Sequence, residues 1–280
     1  ERIILKIETI AFGGAGVGRV DGLVVFVPFT APGDLAEVEI IEKKKRFARG
    51  RLLSLPEPSS RRTEALCRYY GRCGGCCYQH IAYDAQLRIK YQQVVEAFVK
   101  IGGISEPPVR DVIPSPWPFA YRGKADLHAA KTGSGWHFGF MDTTGGRLLD
   151  IDRCEIMHET VNDRIRELRT GGLWHGQGDD LKLWSGSDHP ALESVVRTVK
   201  GRELLVPRTG FFQANLYLTD TMVDETIRLV SGKKVDLIVD ACCGSGLFSV
   251  YLAPYAHRLI GIEIHEKSVK YARINAEKSG

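Results

Sequence analysis

The chain lacks any apolar run approaching the ~18 residues of a membrane-spanning helix, which excludes that class of membrane protein. No signal-peptide pattern opens it, and no Met precedes Glu1, so the native start is expected upstream. No internal repeat or low-complexity tract is visible. A disulfide framework is disfavoured: the seven cysteines are an odd count, and Cys76–Cys77 and Cys242–Cys243 are adjacent pairs. Reduced cytoplasm is the compartment that follows. Charge of one sign is not in excess either, since a net +4 permits nucleic acid as a partner without requiring it. What remains, 280 residues with 44% hydrophobic and 26% charged content, is an ordinary globular composition with room for two or three domains.

The cysteines that are present carry the strongest signal. Cys67-x5-Cys73-x2-Cys76 lies in the Gly-broken segment CRYYGRCGGCC, and Cys154 follows far along in DRCEI. Gly71, Gly74 and Gly75 allow close wrapping around an ion or cluster. Thiolate-only ligation suits zinc or an iron–sulfur cluster, and spacing alone leaves both open. A thioredoxin-like redox pair at Cys73-x-x-Cys76 lacks the expected strand–helix context.

Residues 1–56 read as all-β. Ile3, Leu5 and Ile7 alternate with polar positions, Asp21-Gly22 joins GVGRV to LVVFV as a hairpin, and AEVEIIEK and FARGRLL follow. Short strands with Gly turns imply a small OB-like barrel. Its run Lys43–Arg46, with Arg49, Arg51 and Phe12, Phe26, Phe29 and Phe47, fits single-stranded nucleic acid or a solvated hairpin over buried phenylalanines. LPEPSSRRTEA reads as a linker. The clearest helix spans AYDAQLRIKYQQVVEAFVKIGG, with Leu87, Tyr91, Val94, Val95 and Phe98 as its apolar face and Gly102 closing it. Residues 109–209 form a β-rich stretch that includes KADLHAA, WHFGFMD and RLLDI.

After residue 210 the period changes. DETIRLVS, VDLIVD, LFSVYLAPY, RLIGIEI and HEKSVKYARINAEKSG alternate helix and strand, the pattern of a parallel doubly wound sheet. Two strands cannot close such a sheet, so the native sequence is expected to continue beyond Gly280.

DACCGSGLFS puts a Gly-rich turn between strand and helix. Gly244 and Gly246 let backbone N–H groups approach a ligand, and Glu263 ends the next strand about twenty residues on, where a carboxylate can accept both ribose hydroxyls. A dinucleotide turn wants a third small glycine, but Ser249 stands there behind Leu247 and Phe248. S-adenosylmethionine fits better than NAD.

Together CRYYGRCGGCCYQH, YRGKA at 121–125, DIDRCEI, FFQAN at 211–215 and DACCGSGLF resemble the RNA uracil-C5 methyltransferases that carry an N-terminal TRAM domain and an iron–sulfur cluster, of ribosomal RNA type. The resemblance runs over nearly the whole chain. It implies an α/β plus β fold class: an OB-like TRAM barrel at 1–56; an iron–sulfur central domain at 57–81 and 109–209; and the first half of a Rossmann-like methyltransferase domain from the helix at 82–108 and residues 210–280. It also implies a [4Fe–4S] cluster on Cys67, Cys73, Cys76 and Cys154, with Cys77 outside the ligand set. Gln213, Cys242, Gly244, Gly246, Leu247 and Glu263 are implied as the adenosylmethionine site. Leu247 departs from the Asn often found there. Phe211 is placed near the target base, and the barrel's basic face turns towards RNA, ribosomal rather than transfer.

In this family a thiolate adds to uracil C6, the resulting enolate attacks the sulfonium methyl, and a base removes the C5 proton. The base to be methylated must leave its stack. The nucleophile and general base are expected beyond Gly280, so no catalytic residue is assigned and this polypeptide alone is expected to bind RNA without turnover. A catalytically inactive RNA-binding iron–sulfur protein with a cofactor-binding remnant is the alternative, and an NAD-using oxidoreductase is disfavoured by Ser249. No obligate protein partner is implied.

Overall fold

The computed structural model describes residues 1–133, 135–171, 180–186, 192–232 and 234–280; parts of the 109–209 reading that fall at 172–179 and 187–191 lie outside the described residues. The described chain divides into two units, Glu1–Pro114 with Gly139–Ile151, and Ser115–Phe138 with Asp152–Gly280.

In the first unit the alternation at Ile3, Leu5 and Ile7 does what a half-buried strand requires: Leu5 and Ile7 are buried while Lys6 and Glu8 are exposed. β1 (Arg2–Lys6), β2 (Thr9–Ile10), β3 (Gly16–Val20), β4 (Leu23–Val27), β5 (Leu35–Lys43) and β6 (Phe47–Glu57) form one sheet in the order β1-β5-β6-β4-β3-β2. Only the β4–β6 pair is parallel. Asp21 and Gly22 both take positive φ, 48° and 80°, as the tight hairpin between β3 and β4 demands. The sheet curls until β3 lies on β1: a Cβ added to Gly18 would stand 2.4 Å from the Lys6 carbonyl oxygen, so only glycine fits.

α1 (Tyr83–Lys100) joins this barrel rather than the cofactor-binding part of the chain where the sequence placed it. Ile81, Ala85 and Ile89 belong to the same core as Leu5, Ile10, Val27 and Val38. One turn further, Gln93 Nε2 donates to the Ile10 carbonyl (3.1 Å), the Ala11 carbonyl (3.0 Å) and the Tyr78 hydroxyl (3.0 Å). The residues that meet the barrel are therefore Ile81, just before the helix, then Ala85, Ile89 and the half-buried Gln93, at i+4 spacing. Val94 and Phe98, on the stripe read from hydrophobicity, are each 45% exposed.

The stretch read as a linker is also clamped to the barrel. Asp34 is fully buried, and its carboxylate accepts from Ala31 N–H (2.6 Å), Ser59 N–H (2.8 Å) and the Arg62 guanidinium (2.7 Å). A buried carboxylate holds only with such a full set of donors.

The second unit starts with β7 (Lys124–Thr132). β8 (Gly135–Met141) passes into the first unit, where its last three residues pair with β9 (Leu148–Asp150). α2 (Glu159–Gly171) and β10 (Asp180–Trp184) follow, β10 pairing with β7, and then the hairpin of β11 (Ser194–Val199) and β12 (Arg202–Pro207). α3 (Thr219–Val230) begins five residues before the helix read from DETIRLVS. The chain then runs through β13 (Val235–Ala241), α4 (Leu247–Leu252), a 3-10 turn (Ala253–Tyr255), β14 (Ala256–Ile262) and α5 (Glu266–Ser279). β13 and β14 pair in parallel as expected. Trp184, Val206, Phe212, Val223, Leu247 and Tyr251 are buried in one core.

Candidate functional site

The turn between β13 and α4 is built from left-handed backbone. Cys242, Gly244 and Gly246 take φ of 63°, 56° and 84°. A Cβ on Gly244 would meet nothing within 4 Å, which leaves open space over its backbone. A Cβ on Gly246 would touch Ala272 of α5 at 3.4 Å, so this glycine lets helix and turn meet.

Glu263 does more than end a strand. Its Oε2 accepts from Gly244 N–H at 2.9 Å and its Oε1 from His265 N–H at 2.8 Å. These backbone bonds, His265's first, hold its carboxyl below the ordinary value, and the ionised group retains a lone pair on each oxygen for further donors. Beside it lies a depression of about 300 Å³ lined by Glu263, Ile264, Glu266, Val269, Lys270 and Arg273. An open glycine backbone plus an ionised carboxylate with spare acceptor capacity fits the ribose and amino-acid ends of adenosylmethionine.

The other expected cofactor residues divide. Cys242 is exposed on the turn. Leu247 is 6% exposed and belongs to the core, so its side chain packs inward. Ser249 Oγ donates to Asp240 Oδ2 at 2.6 Å, tying α4 to the end of β13. Cys243 is buried, its thiol pushed up by desolvation, and a Cβ on Gly261 would meet its Sγ at 2.9 Å. Gln213 is half-buried in the loop before α3, between buried Phe212 and half-buried Ala214. YRGKA holds that loop: Gly123 N–H donates to the Ala214 carbonyl (2.8 Å), Leu216 N–H to the Tyr121 carbonyl (2.9 Å), and Lys124 Nζ to the Gly210 carbonyl (3.1 Å). Phe211 is 69% exposed, so its ring is accessible rather than buried in the core.

Two residues that sequence reasoning passed over brace this unit. Buried Arg197 donates to the Ser185 carbonyl (3.0 Å) and the Gly123 carbonyl (3.1 Å), with its guanidinium 4.9 Å from the Trp184 ring centroid. Asn275 on α5 is 1% exposed. A charged or amide residue in an amphipathic segment reads as solvent-facing, so neither gave a signal.

In the first unit the cysteine loop docks on the β8–β9 turn. Gly74 N–H donates to the Met141 carbonyl (3.0 Å) and Thr143 N–H to the Arg72 carbonyl (2.9 Å). A Cβ on Gly74 would meet the Asp142 carbonyl at 3.0 Å. Cys67, Cys73 and Cys76 are half-buried free thiols. Gly75 N–H reaches Cys73 Sγ at 3.4 Å, the kind of donor that steadies a ligating sulfur. Desolvation raises the Cys73 and Cys76 thiols, and the neighbouring cysteines add to the rise. Among the described residues, however, no three His, Cys, Asp or Glu side chains converge to metal-holding distance. Cys154 lies in the second unit, its N–H donating to Asn162 Oδ1 at 2.9 Å.

On the barrel, Phe12 is 95% exposed, Phe26 and Phe47 meet edge-on with centroids 5.9 Å apart, and Lys44 lies 5.5 Å from the Phe47 centroid. Part of the basic run is neutralised by Lys44–Glu42, Arg49–Glu42 and Arg51–Glu39 pairs. Among the described residues Lys45 and Arg46 take no carboxylate partner. No helix among them is long and apolar enough to cross a membrane.

Residues 1–53 match the TRAM domain family, and residues 192–280 match the family described as tRNA (Uracil-5-)-methyltransferase. An uncharacterized RNA methyltransferase of Halalkalibacterium halodurans is 29% identical, the alignment covering 99% of this chain and 74% of that protein. One of Protochlamydia amoebophila is 28% identical over 97% of this chain and 73% of its own length. Among solved structures, the tRNA (uracil-54, C5)-methyltransferase of Pyrococcus abyssi in complex with S-adenosyl-L-homocysteine superposes with a TM-score of 0.72 at 24% identity, covering 99% of this chain and 76% of that one. That likeness establishes the fold.

Proposed function

We propose that this chain is an S-adenosylmethionine-dependent RNA methyltransferase acting on C5 of a uridine in structured RNA. One observation carries the reading: Glu263 closes the glycine turn through Gly244 N–H while its carboxylate stays ionised beside an open depression. Bound there, adenosylmethionine supplies the methyl group. Glu263 accepts the ribose hydroxyls, Gly244 and Gly246 bring backbone against the ligand, and the clamped 210–216 loop offers Gln213 from the α3 side. Ser249, engaged with Asp240, leaves no third small glycine for a pyrophosphate.

The exposed ring of Phe211 supports a stacking role for the target base, and the barrel's aromatic and basic residues support RNA as the partner. The substrate is read as ribosomal RNA, with transfer RNA as the class the experiment separates from it. A [4Fe–4S] cluster is part of the proposal: Cys67, Cys73 and Cys76 are soft donors on one glycine-broken loop, and the sequence supplies Cys154 as the fourth. The cluster would staple the loop; no redox step is required of it.

Calorimetry with S-adenosylhomocysteine and with NAD tests the site, and binding of NAD alone would overturn it. Mapping 5-methyluridine in cells lacking the gene tests the substrate. Loss at a ribosomal position is expected; loss confined to transfer RNA would move the substrate class, and no loss would refute the activity.

A further inference from the structure

We infer that Asn275 is a positioning residue that sets the shape of the cofactor turn, an inference resting on the adenosylmethionine reading above. Asn is a mediocre helix former, disfavoured against Ala in a helix interior, yet it stands in the body of α5. At 1% exposure it cannot be there for solvent.

Its amide is almost fully engaged. Nδ2 donates to the Ser245 carbonyl at 2.8 Å and to the Leu205 carbonyl at 2.8 Å, while Oδ1 accepts from Leu205 N–H at 2.8 Å. One side chain thus joins α5, β12 and the turn. Ser245 sits between two glycines with positive φ, where helix or strand bonding is not available to its carbonyl. The close approach of Gly246 to Ala272, one turn before Asn275 on the same helix, leaves little room for water as a substitute.

A planar amide provides two donors and one acceptor together, and no other short side chain does. Asn275 therefore acts through the backbone of residues 244–246, whose open face at Gly244 would meet the ligand. It is not a catalytic residue, because it touches neither cofactor nor substrate.

Asn275→Asp separates this role from simple packing. The shape is kept and the acceptor for Leu205 N–H remains, but an ionised carboxylate faces two carbonyls with nothing to donate. Burial raises the pKa of such a carboxyl, and once protonated it donates again. Titration calorimetry with S-adenosylhomocysteine, at temperatures where circular dichroism shows the folded protein, is the measurement. At pH 8 the variant should bind about 10–100-fold more weakly than wild type, as loss of a hydrogen bond to a buried group predicts. Near pH 5.5 it should recover most of that loss while wild type changes little.

Folded N275D that binds like wild type at both pH values, or with a pH-independent deficit, would overturn the inference. If N275D does not fold, Asn275→Ala carries the test with both donors removed: about tenfold or greater loss of affinity in the folded variant supports the role, and unchanged affinity overturns it. Wild type that fails to bind the ligand would instead remove the cofactor reading, a separate result.

Discussion

Replacing the two glycines of the β13–α4 turn one at a time should split stability from binding. Gly246 has φ of 84°, beyond the range that L-residues visit with ease, and an added methyl would rest against Ala272 Cα and Cβ at 3.4 Å. Left-handed backbone costs a non-glycine residue about 1–2 kcal/mol. Gly246→Ala should therefore lower the melting temperature by roughly 2–8 °C, at about 2–4 °C per kcal/mol for a unit of this size. Gly244 has φ of 56°, where Cys242 already sits at 63°, and its methyl would project into open space. Gly244→Ala should cost no more than that backbone term, about 1–2 kcal/mol, because no neighbour adds to it. That methyl nevertheless occupies the face a ligand must approach, so affinity for S-adenosylhomocysteine should fall about tenfold or more. Differential scanning fluorimetry and calorimetry on both variants suffice. Gly244→Ala with wild-type affinity would refute the placement of the ligand over this turn. Gly246→Ala with wild-type melting would refute the strain argument.

Arg197→Met should destabilise the second unit by about 3 kcal/mol, since the carbonyls of Gly123 and Ser185 lose a charged donor inside the protein. A urea midpoint unchanged from wild type would contradict this. Because the Glu263 carboxyl is held below its ordinary value, its brace on the turn is complete above the unfolded pKa and disappears as pH falls through the lower, folded one. The Gly244 and His265 amide resonances should then titrate together with a midpoint under that of free Glu; a midpoint at or above it would rule out the bracing bonds. Cys73→Ser and Cys154→Ser should each lose iron after anaerobic reconstitution while Cys77→Ser retains it. Full iron content in Cys73→Ser would exclude that ligand set.

Local chemistry made much of this fold readable in advance. Asp21-Gly22 specifies its hairpin within four residues, and the CCGSG turn with Glu263 needs only one strand–helix–strand unit to be recognised. Failures began where a residue's partner lies far along the chain. The apolar face of α1 was misplaced because small Ala85 and polar Gln93, not Val94 and Phe98, meet the barrel. Pro56, Pro58 and two serines spelled a linker, yet Ser59 and Arg62 are drawn back by Asp34, more than twenty residues earlier. Asn275 was invisible for the same reason: its partners are Leu205 and Ser245, and nothing adjacent to it announces them. Hydrophobicity alone describes where the Leu247 side chain goes, and any contact of this residue with a ligand is left to its backbone.

The shared core of α1 and the barrel has one more consequence. Evolutionary matching draws the TRAM module at residues 1–53, a border that falls inside β6 and leaves out Asp34's partners Ser59 and Arg62 as well as Ile81, Ala85 and Ile89. A gene cut at that border would encode a recognisable ancestor but an incomplete folding unit, with a buried anion stripped of its guanidinium and an oily floor left open to water. Inheritance and cooperativity draw different outlines on the same polypeptide, and anyone excising the barrel should follow the second, through Lys100.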